Sequence, residues 1–345
     1  MTFKVGVIRD ARCLEHKPGL VHPEAPSRLR SVYRMLDKDF ENRLIQIEPK
    51  LATLEQLQLA HTSSYIDLIM STAERDFTPL SSDTFVSAKS YLAAWLAAGA
   101  GISAVDALMA EEVRCCFSLV RPPGHHALAD RAGGFCIFNN LGVAAKYAIE
   151  KYGLERILII DWDIHHGNAL QELFYEDPKV LYFSTHYMGW YPNTGEWEET
   201  GEGQGAGYTV NIPVPKELKD DDIICVYQNA LNPIVRKFKP QFIMVAAGFD
   251  AHERDPLGRT RLTENAYRSM TQIVLQLSEI GGGVPLLLSL EGGYDSRALA
   301  NSIKEVLAML AFQGRRERMT VTMTERAEDM LQKLRRVHRK HRVWI

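Results

Sequence analysis

The strongest constraint on the fold of this chain is a regular alternation of short apolar segments with longer amphipathic segments. Short apolar runs bounded by polar, Gly or Pro residues predict strands, and amphipathic runs at helical spacing predict helices. The predicted strands are 5–8, 115–120, 156–161, 180–185, 242–247 and 285–290. The predicted helices are 27–36, 87–109, 140–152, 220–238, 263–280 and 296–310. This alternation predicts an α/β fold with a central, mostly parallel sheet sandwiched by helices.

Charge and cysteine usage narrow the class of protein. The 40 Lys and Arg residues nearly balance the 43 Asp and Glu residues, so no strong basic field favours nucleic acid or an anionic membrane. The five cysteines include no C-x-x-C pair, which is typical of a protein from a reducing compartment. The apolar segment 92–109 contains Gly, Ser and Asp and predicts a buried helix rather than a membrane span. We expect a cytoplasmic protein without a nucleic acid or membrane partner.

Two regions depart from the alternation. Residues 188–207 are rich in Gly and aromatic residues, and a loop of this length inside a compact domain is usually functional. Residues 315–345 are basic and predict a helical tail whose cations suit a helix C-terminus. We expect one domain over residues 1–314, with the tail packed on it or extending it. The oligomeric state stays open, a homo-oligomer included.

Polar side chains gather directly after four of the predicted strands. The segments are 121–126 (RPPGHH), 161–168 (DWDIHHGN), 248–250 (GFD) and 291–294 (EGGY). Ligands of α/β sheets bind beyond the carboxyl ends of the strands. The four segments therefore predict one functional site at that edge of the sheet.

The second and third of these segments carry the donors of a metal site. Side chains alternate along an extended segment, so Asp161, Asp163 and His165 project to one face. Burying such groups without compensation is costly, and Asp250 adds a further carboxylate from another strand end. Two carboxylates and one imidazole, with one position left open, are typical of catalytic zinc.

The remaining two segments carry groups suited to proton transfer. His125 and His126 follow two stiff prolines and Gly124, which permits a tight turn. Histidine has a resting pKa suited to a general base for water. Tyr294 would be a neutral hydrogen-bond donor to a developing oxyanion.

The strings RPPGHHA, GGFCIFNN, DWDIHHGN, AAGFDAH and EGGY closely resemble the histone deacetylase and acetylpolyamine amidohydrolase family. The strings HPEAPSRL and DTFVSAKSYLAAWLAAGA are similar to further blocks of that family. The resemblance covers roughly residues 3–310, and several ordered blocks make it specific. It implies an arginase/deacetylase-like α/β fold and zinc-dependent hydrolysis of an N-acyl amide.

The resemblance also implies roles for the catalytic residues. His126 would be the general base and then the general acid, with His125 as an electrostatic partner oriented by Asp161. Tyr294 would stabilise the tetrahedral intermediate; its presence, where weakly active vertebrate class IIa enzymes have His, favours amidase activity. Asn168 stands where class I members have Asp, as in class II members. An amide stabilises imidazolium less than a carboxylate does, so His126 is predicted to be a weaker base at rest.

The metal ions that the resemblance implies are one zinc per chain and two structural potassium ions. The zinc ligands would be Asp163, His165 and Asp250. One potassium ion would bind Asp161, the carbonyls of Asp163 and His165, Ser184 and Thr185. The other would bind the carbonyls of Phe174, Asp177, Val180 and Tyr208.

The substrate contacts follow from the same resemblance. Phe135, beside Gly134, and Tyr191 would form the aromatic walls of an acyl-lysine tunnel. The residue at the mouth is Leu257, seven residues after Asp250. Polyamine-selective members tend to place an acidic residue there, so Leu257 favours acyl-lysine over an acylated polyamine.

The function predicted from the sequence is therefore removal of acyl groups from lysine side chains of proteins or peptides. An acetylpolyamine amidohydrolase is the main alternative. A non-catalytic acyl-lysine binder is a remote alternative, because it would not need Tyr294 and both histidines. A binuclear manganese ureohydrolase of the arginase type would need further carboxylates where this chain has His125 and His126.

Overall fold

The protein is described by a computed structural model that covers residues 4–258, 260–311 and 322–344. Within these ranges the strands are β1 Val5–Ile8, β2 Ile45–Gln46, β3 Thr78–Pro79, β4 Phe85–Val86, β5 Cys115–Ser118, β6 Ile157–Asp161, β7 Val180–Tyr187, β8 Thr209–Val214, β9 Phe242–Ala247 and β10 Leu286–Leu290. The helices are α1 Ser27–Asp39, α2 Leu54–Gln58, α3 Ser63–Met70, α4 Ser90–Met109, α5 Asn140–Tyr152, α6 Asn168–Phe174, α7 Asp220–Phe238, α8 Glu264–Ile280, α9 Ser296–Ala311 and α10 Glu325–His338. All six predicted strands and all six predicted helices are present, with small shifts at their ends.

Eight strands form one parallel sheet in the order β2-β1-β5-β10-β9-β6-β7-β8. Every residue of β1, β5, β6, β8, β9 and β10 is buried, so the sheet is covered on both faces, as its apolar strands predicted. Helices α4 and α5 pack together, and α1, α9, α8, α7 and α10 form a row in which each packs against the next. This is the predicted arginase/deacetylase-like α/β architecture.

Strand β8 was not predicted, although it has six residues. Its sequence TVNIPV contains Asn211 and Pro213, which interrupt the apolar run that signals a buried strand. Pro lacks an N–H donor and is tolerated at a sheet edge, and β8 is the last strand in the order. The short helices α2, α3 and α6 were missed as well, because a helix of fewer than about ten residues shows little periodicity.

Helix α4 is long and apolar enough to cross a membrane by length and composition, but 83% of its apolar stretch is buried in the protein. It is therefore the buried helix that its Gly and polar residues predicted. The five cysteines all lie in the described ranges, and each is a buried free thiol.

The described part of the basic tail, residues 322–344, packs on the same body as the sheet. Helix α10 contacts α7 and β8, and Arg326 pairs with Asp222 at 2.8 Å. His341 Nε2 lies 3.0 Å from the hydroxyl of Thr200 in the 188–207 loop, and Trp344 is buried. The boundary predicted between residues 314 and 315 lies outside the described residues.

Candidate active site

The four polar segments meet because their strands are neighbours. Strands β5, β10, β9 and β6 are consecutive in the sheet, and all are parallel, so their carboxyl ends lie at one edge. The segments that follow them carry the tandem histidines, the EGGY turn, Asp250 and the DWDIHHGN run. The sheet order therefore brings together the residues that the sequence predicted for one site.

Asp163, His165 and Asp250 form a compact group of buried ligand atoms, all within 4.8 Å of one another. Nδ1 of His165 lies 2.8 Å from Oδ2 of Asp250 and 3.2 Å from Oδ1 of Asp163. Backbone N–H groups hold the outer faces of the carboxylates: Gly292 donates to Asp163 at 2.8 Å, and Ile164 donates to Asp250 at 3.0 Å. Such outer hydrogen bonds orient metal ligands.

The electrostatics of this group suit a cation. Burial and the neighbouring carboxylate of Asp163 raise the pKa of Asp250 to about 7. Burial lowers the pKa of the His165 imidazole, but Asp250 and Asp163 outweigh it and raise that pKa to about 10. The two carboxylates thus attract a positive charge into their midst, and a divalent cation supplies that charge without a proton. The donor set and its burial fit a zinc ion.

His125 is held by the carboxylate of Asp161. Its Nδ1 lies 3.2 Å from Oδ2 of Asp161, and the same oxygen accepts the hydroxyl of Tyr182 at 2.9 Å. Burial lowers the pKa of His125, but the carboxylates of Asp163 and Asp161 outweigh it and raise the pKa to about 10. The carboxylates around His125 therefore favour its protonated, cationic form.

The pKa of His126 is shifted in the opposite direction from that of His125. Its Nδ1 donates to Oδ1 of Asn168 across 2.8 Å, and its ring centre lies 3.9 Å from that of His125. Burial and the adjacent His125 lower the pKa of His126 well below its ordinary value. A neutral ring with its proton on Nδ1 leaves Nε2 as a proton acceptor.

Glu291 positions the histidine turn, a role that the sequence analysis missed. Its Oε2 accepts the backbone N–H of Gly124 at 2.6 Å and that of His125 at 3.1 Å. Burial raises the pKa of Glu291 to about 7. Its place at the start of the EGGY string was the available signal.

Tyr294 lines the same cavity as His126. Its ring packs edge-on against Phe135 at 5.6 Å, and the guanidinium of Arg28 lies 4.8 Å from its centre. Arg28 also donates to the carbonyls of Gly293 and Glu291, both at 2.5 Å. Burial raises the pKa of Tyr294 well above its usual range, although Arg28 opposes this shift. The phenol therefore stays protonated and can donate.

A cavity of about 180 Å³ opens onto these groups. Its lining consists of Asp83, His126, Gly134, Phe135, His165, Trp190, Tyr191, Leu257 and Tyr294. Tyr191 stands edge-on to His126, with ring centres 5.1 Å apart. The predicted walls and the predicted mouth residue are therefore all part of one cavity.

Gly134 is required by the close approach of His126. Its φ is +54°, and a Cβ there would overlap the imidazole carbons of His126. Any side chain at this position would displace the ring or the chain, so the second Gly of GGFCIFNN has a steric reason.

Two lining residues were missing from the sequence analysis. Asp83 accepts the backbone N–H of Gly134 at 3.1 Å and 3.2 Å through its two carboxylate oxygens. Trp190 packs edge-on against Tyr187 at 5.7 Å. Asp83 falls inside the DTFVSAKSYLAAWLAAGA block, which could have indicated it, whereas nothing in the loop sequence distinguished Trp190.

The predicted potassium residues lie in two groups. Asp161 and Ser184 are register partners in adjacent strands, and Thr185 follows with its hydroxyl 3.0 Å from that of Tyr227. The second group surrounds the turn between α6 and β7. There Asp177 donates to the carbonyl of Phe174 at 3.1 Å, and Val180 donates to that of Asp177 at 3.3 Å. The carbonyl of Tyr208 accepts from Tyr182 at 2.9 Å.

The fold and the site define an α/β protein of the deacetylase type, with a buried three-donor group whose His165 lines the cavity. The histone deacetylase domain family matches residues 22–310. The chain belongs to the histone deacetylase family. It is similar over its full length to the solved structure of the HDA15 HD domain, with a TM-score of 0.91, 35% identity and 96% of that chain covered.

Similar proteins come from several kingdoms. A probable deacetylase of Archaeoglobus fulgidus is 38% identical over 84% of this chain and 81% of its own length. Histone deacetylase 5 of Arabidopsis thaliana is 38% identical over 87% of this chain. The human polyamine deacetylase HDAC10 is 36% identical over 81% of this chain. The matched region spans only 48% of the plant protein and 43% of the human protein. Membership among these relatives supports a hydrolytic deacetylase function.

Proposed function

We propose that this protein is a zinc-dependent amidohydrolase that removes acetyl-type acyl groups from lysine side chains. The observation that carries the proposal is the convergence of three components on one cavity. These are the Asp163, His165 and Asp250 donor group, the base His126 and the donor Tyr294. Each component alone has a structural explanation, but together they form the apparatus of amide hydrolysis.

Asp163, His165 and Asp250 would hold one zinc ion, and a bound ion supplies a Lewis acid that polarises the acyl carbonyl and acidifies water. A binuclear manganese site is disfavoured by the donors nearby. Among the residues that the structure describes, the other three-donor group is His125, Cys136 and Glu291. It offers one carboxylate and a thiol, whereas manganese prefers several oxygen ligands.

His126 would move the protons of the reaction. Its Nε2 accepts a proton from the attacking water, while Nδ1 keeps its hydrogen bond to Asn168. The same nitrogen then donates that proton to the departing lysine amine. The cationic ring of His125, held by Asp161, disfavours a lasting positive charge on His126 and so promotes the second transfer.

Tyr294 would donate its hydroxyl proton in a hydrogen bond to the oxygen of the tetrahedral intermediate. The raised pKa of Tyr294 keeps that proton in place. Arg28 fixes the turn on which Tyr294 lies through the carbonyls of Gly293 and Glu291. A donor that is already oriented costs little reorganisation during the reaction.

The cavity supports a linear acyl-lysine substrate. The rings of Phe135 and Tyr191 line it and can pack along an apolar four-carbon lysine stem. Leu257 adds an apolar surface at the predicted mouth, where the neutral backbone of a peptide can lie. Potassium would be structural in this proposal, bound near Asp161 and Ser184 and near the turn between α6 and β7.

An acylated polyamine is the second candidate substrate, and Asp83 is the observation that favours it. This partly buried carboxylate lines the cavity and would attract a distant ammonium group. The loop carboxylate Glu199 is less suited, because it is not among the residues that line the cavity. It accepts the side chain of Gln171 at 2.5 Å and the N–H of Gly195 instead. The human protein to which this chain is similar is named a polyamine deacetylase, and this name also supports the second candidate.

The deciding experiment is a panel of acyl-lysine peptides and acetylated polyamines assayed with one zinc-loaded preparation. We expect higher kcat/KM on acyl-lysine peptides. Efficient hydrolysis of acetylpolyamines with little on peptides would select the second candidate. Tight binding of acyl-lysine peptides without turnover would identify a binder, and two manganese ions per active chain would refute the mononuclear zinc site.

A further inference from the structure

The turn that carries Tyr294 is held by hydrogen bonds on two sides. On one side, Arg28 binds the carbonyl oxygens of Glu291 and Gly293. Gly293 has φ +115°, a conformation that favours glycine, and the turn lies beyond the end of β10 at Leu290, past the strand pairing that would bind its N–H groups. The N–H groups of Tyr294 and Asp295 therefore need an acceptor on the other side of the turn.

That acceptor is Asp255. Its Oδ2 accepts the backbone N–H of Tyr294 at 2.5 Å and that of Asp295 at 3.2 Å. These bonds join residues 39 and 40 positions apart in the chain. One of the two donors is Tyr294, the residue whose hydroxyl would contact the reacting oxygen.

The other oxygen of the same carboxylate binds the segment at the predicted tunnel mouth. Oδ1 of Asp255 accepts the N–H of Leu257 at 2.9 Å and that of Gly258 at 3.3 Å. Asp255 is only 6% exposed, so water does not readily replace its carboxylate oxygens as acceptors of these hydrogen bonds. Its four acceptor directions are all used by backbone donors.

We infer that Asp255 is a positioning residue that locks the oxyanion-donor turn at Tyr294 to the mouth turn at Leu257. The inference rests on the proposed function for the role of Tyr294, and it adds a coupling between two parts of the site. A substrate contact at the mouth and the position of the Tyr294 hydroxyl are set by one carboxylate. Asp255 itself touches no reacting atom.

The physical reason for requiring a carboxylate is the number of donors that it faces. A buried N–H that loses its acceptor costs free energy, so removal of Asp255 releases both turns. An amide in its place has one acceptor oxygen and one donor group. It can satisfy one turn, but its NH₂ would face the N–H groups of the other.

The test is a double-mutant cycle between Asp255→Ala and Tyr294→Phe, with kcat and KM measured on an acyl-lysine peptide and zinc per chain measured on each variant. In the wild-type background, we expect Asp255→Ala to lower kcat at least about 10-fold with full zinc content. In the Tyr294→Phe background, the same change should lower kcat less than about 2-fold, because the effects of residues that act as a unit are not additive. The matched control is the exposed neighbour Glu253→Ala, which should keep the wild-type kcat.

Two outcomes of the cycle overturn the inference. One is a loss of kcat that is equal in both backgrounds, and the other is a loss of activity that only follows a loss of zinc. If Asp255→Ala does not fold, Asp255→Asn takes its place in the cycle. We expect that variant to lower kcat by displacing Tyr294 or to raise KM by displacing the segment at Leu257. Unchanged values of both kcat and KM would contradict the inference.

A measurement on the unaltered protein needs neither a variant nor a substrate. Native-state hydrogen exchange should show the amides of Leu257, Gly258, Tyr294 and Asp295 protected and opening together. Free exchange at Tyr294 or Asp295 would disprove the lock. Protected amides in a protein that hydrolyses no substrate of the panel would refute the proposed function and leave the lock intact.

Discussion

Asn168 Oδ1 accepts a hydrogen bond from Nδ1 of His126 across 2.8 Å. Asn168 is the first residue of α6, directly after the DWDIHHG segment, and this contact sets the tautomer of the proposed base. An amide oxygen orients the ring without the charge of a carboxylate. Burial and the adjacent His125 outweigh the effect of this hydrogen bond, which raises the pKa, and they leave the pKa of His126 well below its ordinary value.

Asn168→Asp should therefore raise the pKa of His126, because a carboxylate stabilises the protonated ring. A base must be deprotonated to act, so the acidic limb of the kcat/KM profile should move to higher pH. The control Asn42→Asp, at an exposed position, should leave the limb in place. An unmoved limb in Asn168→Asp would mean that His126 does not set it.

Replacing Asp163 or Asp250 with Ala should abolish zinc retention and activity together. A site with three protein ligands cannot lose an anionic ligand and keep its affinity. Metal analysis after dialysis measures the first effect and peptide hydrolysis the second. Asp130→Ala, at an exposed ion pair with Arg131, is the control. Full zinc and normal turnover in either ligand variant would show that the ligand assignment is wrong.

Tyr294→Phe should fold normally and lose roughly 10²–10³ in kcat, the usual effect of removing one oxyanion donor. KM should change little, because the hydroxyl acts mainly in the transition state. Tyr91→Phe is a suitable control, since Tyr91 packs against Trp95 and does not line the cavity. A kcat near that of the wild type would remove Tyr294 from the mechanism.

Leu257→Glu should shift kcat/KM toward acetylated polyamines by about 1 kcal/mol, the scale of an exposed charge pair. The shift should shrink as salt is added. Leu257→Gln has a similar shape without the charge and should show no shift. If Leu257→Gln behaves like Leu257→Glu, shape rather than charge selects the substrate. Asp83→Asn tests the carboxylate already in the lining, and it should weaken any polyamine activity of the wild type.

The buried cluster around Glu24 should make stability depend on pH. Glu24 is fully buried and binds Arg28 at 2.9 Å, Arg121 and the imidazole of His16 at 3.3 Å. Burial raises the pKa of Glu24, but Arg121 and His16 outweigh it, so that pKa lies well below its ordinary value. The unfolded chain therefore binds a proton that the native protein does not, and stability falls as the pH drops below about 4.5.

Glu24→Gln should cost about 3–5 kcal/mol in the free energy of unfolding at pH 7, because it leaves two guanidinium groups without their counter-charge. Urea unfolding measures this cost, and Glu15→Gln at an exposed position is the control. The difference from the wild type should narrow toward low pH. A constant difference down to pH 3 would mean that ionised Glu24 does not stabilise the fold.

The class of fold and the grouping of Asp163, His165 and Asp250 could be predicted from the sequence because both depend on local patterns. The apolar runs of the strands and the amphipathic runs of the helices are periodic over a few residues. The proposed ligands Asp163 and His165 lie in one extended segment, and Asp250 follows a recognisable strand. Parallel strands bring their carboxyl ends to one edge, so a local pattern was enough to place these residues together.

Only the tertiary structure decided the contacts between segments that share no sequence pattern. Asp255 and Tyr294 are 39 residues apart, Asp83 and Gly134 are 51 apart, and Glu24 and Arg121 are 97 apart. A buried carboxylate stays ionised at little cost only where donors surround it, and those donors come from different loops. The sequence determined which residues end each strand, whereas the packing of the loops determined which groups hold them in place.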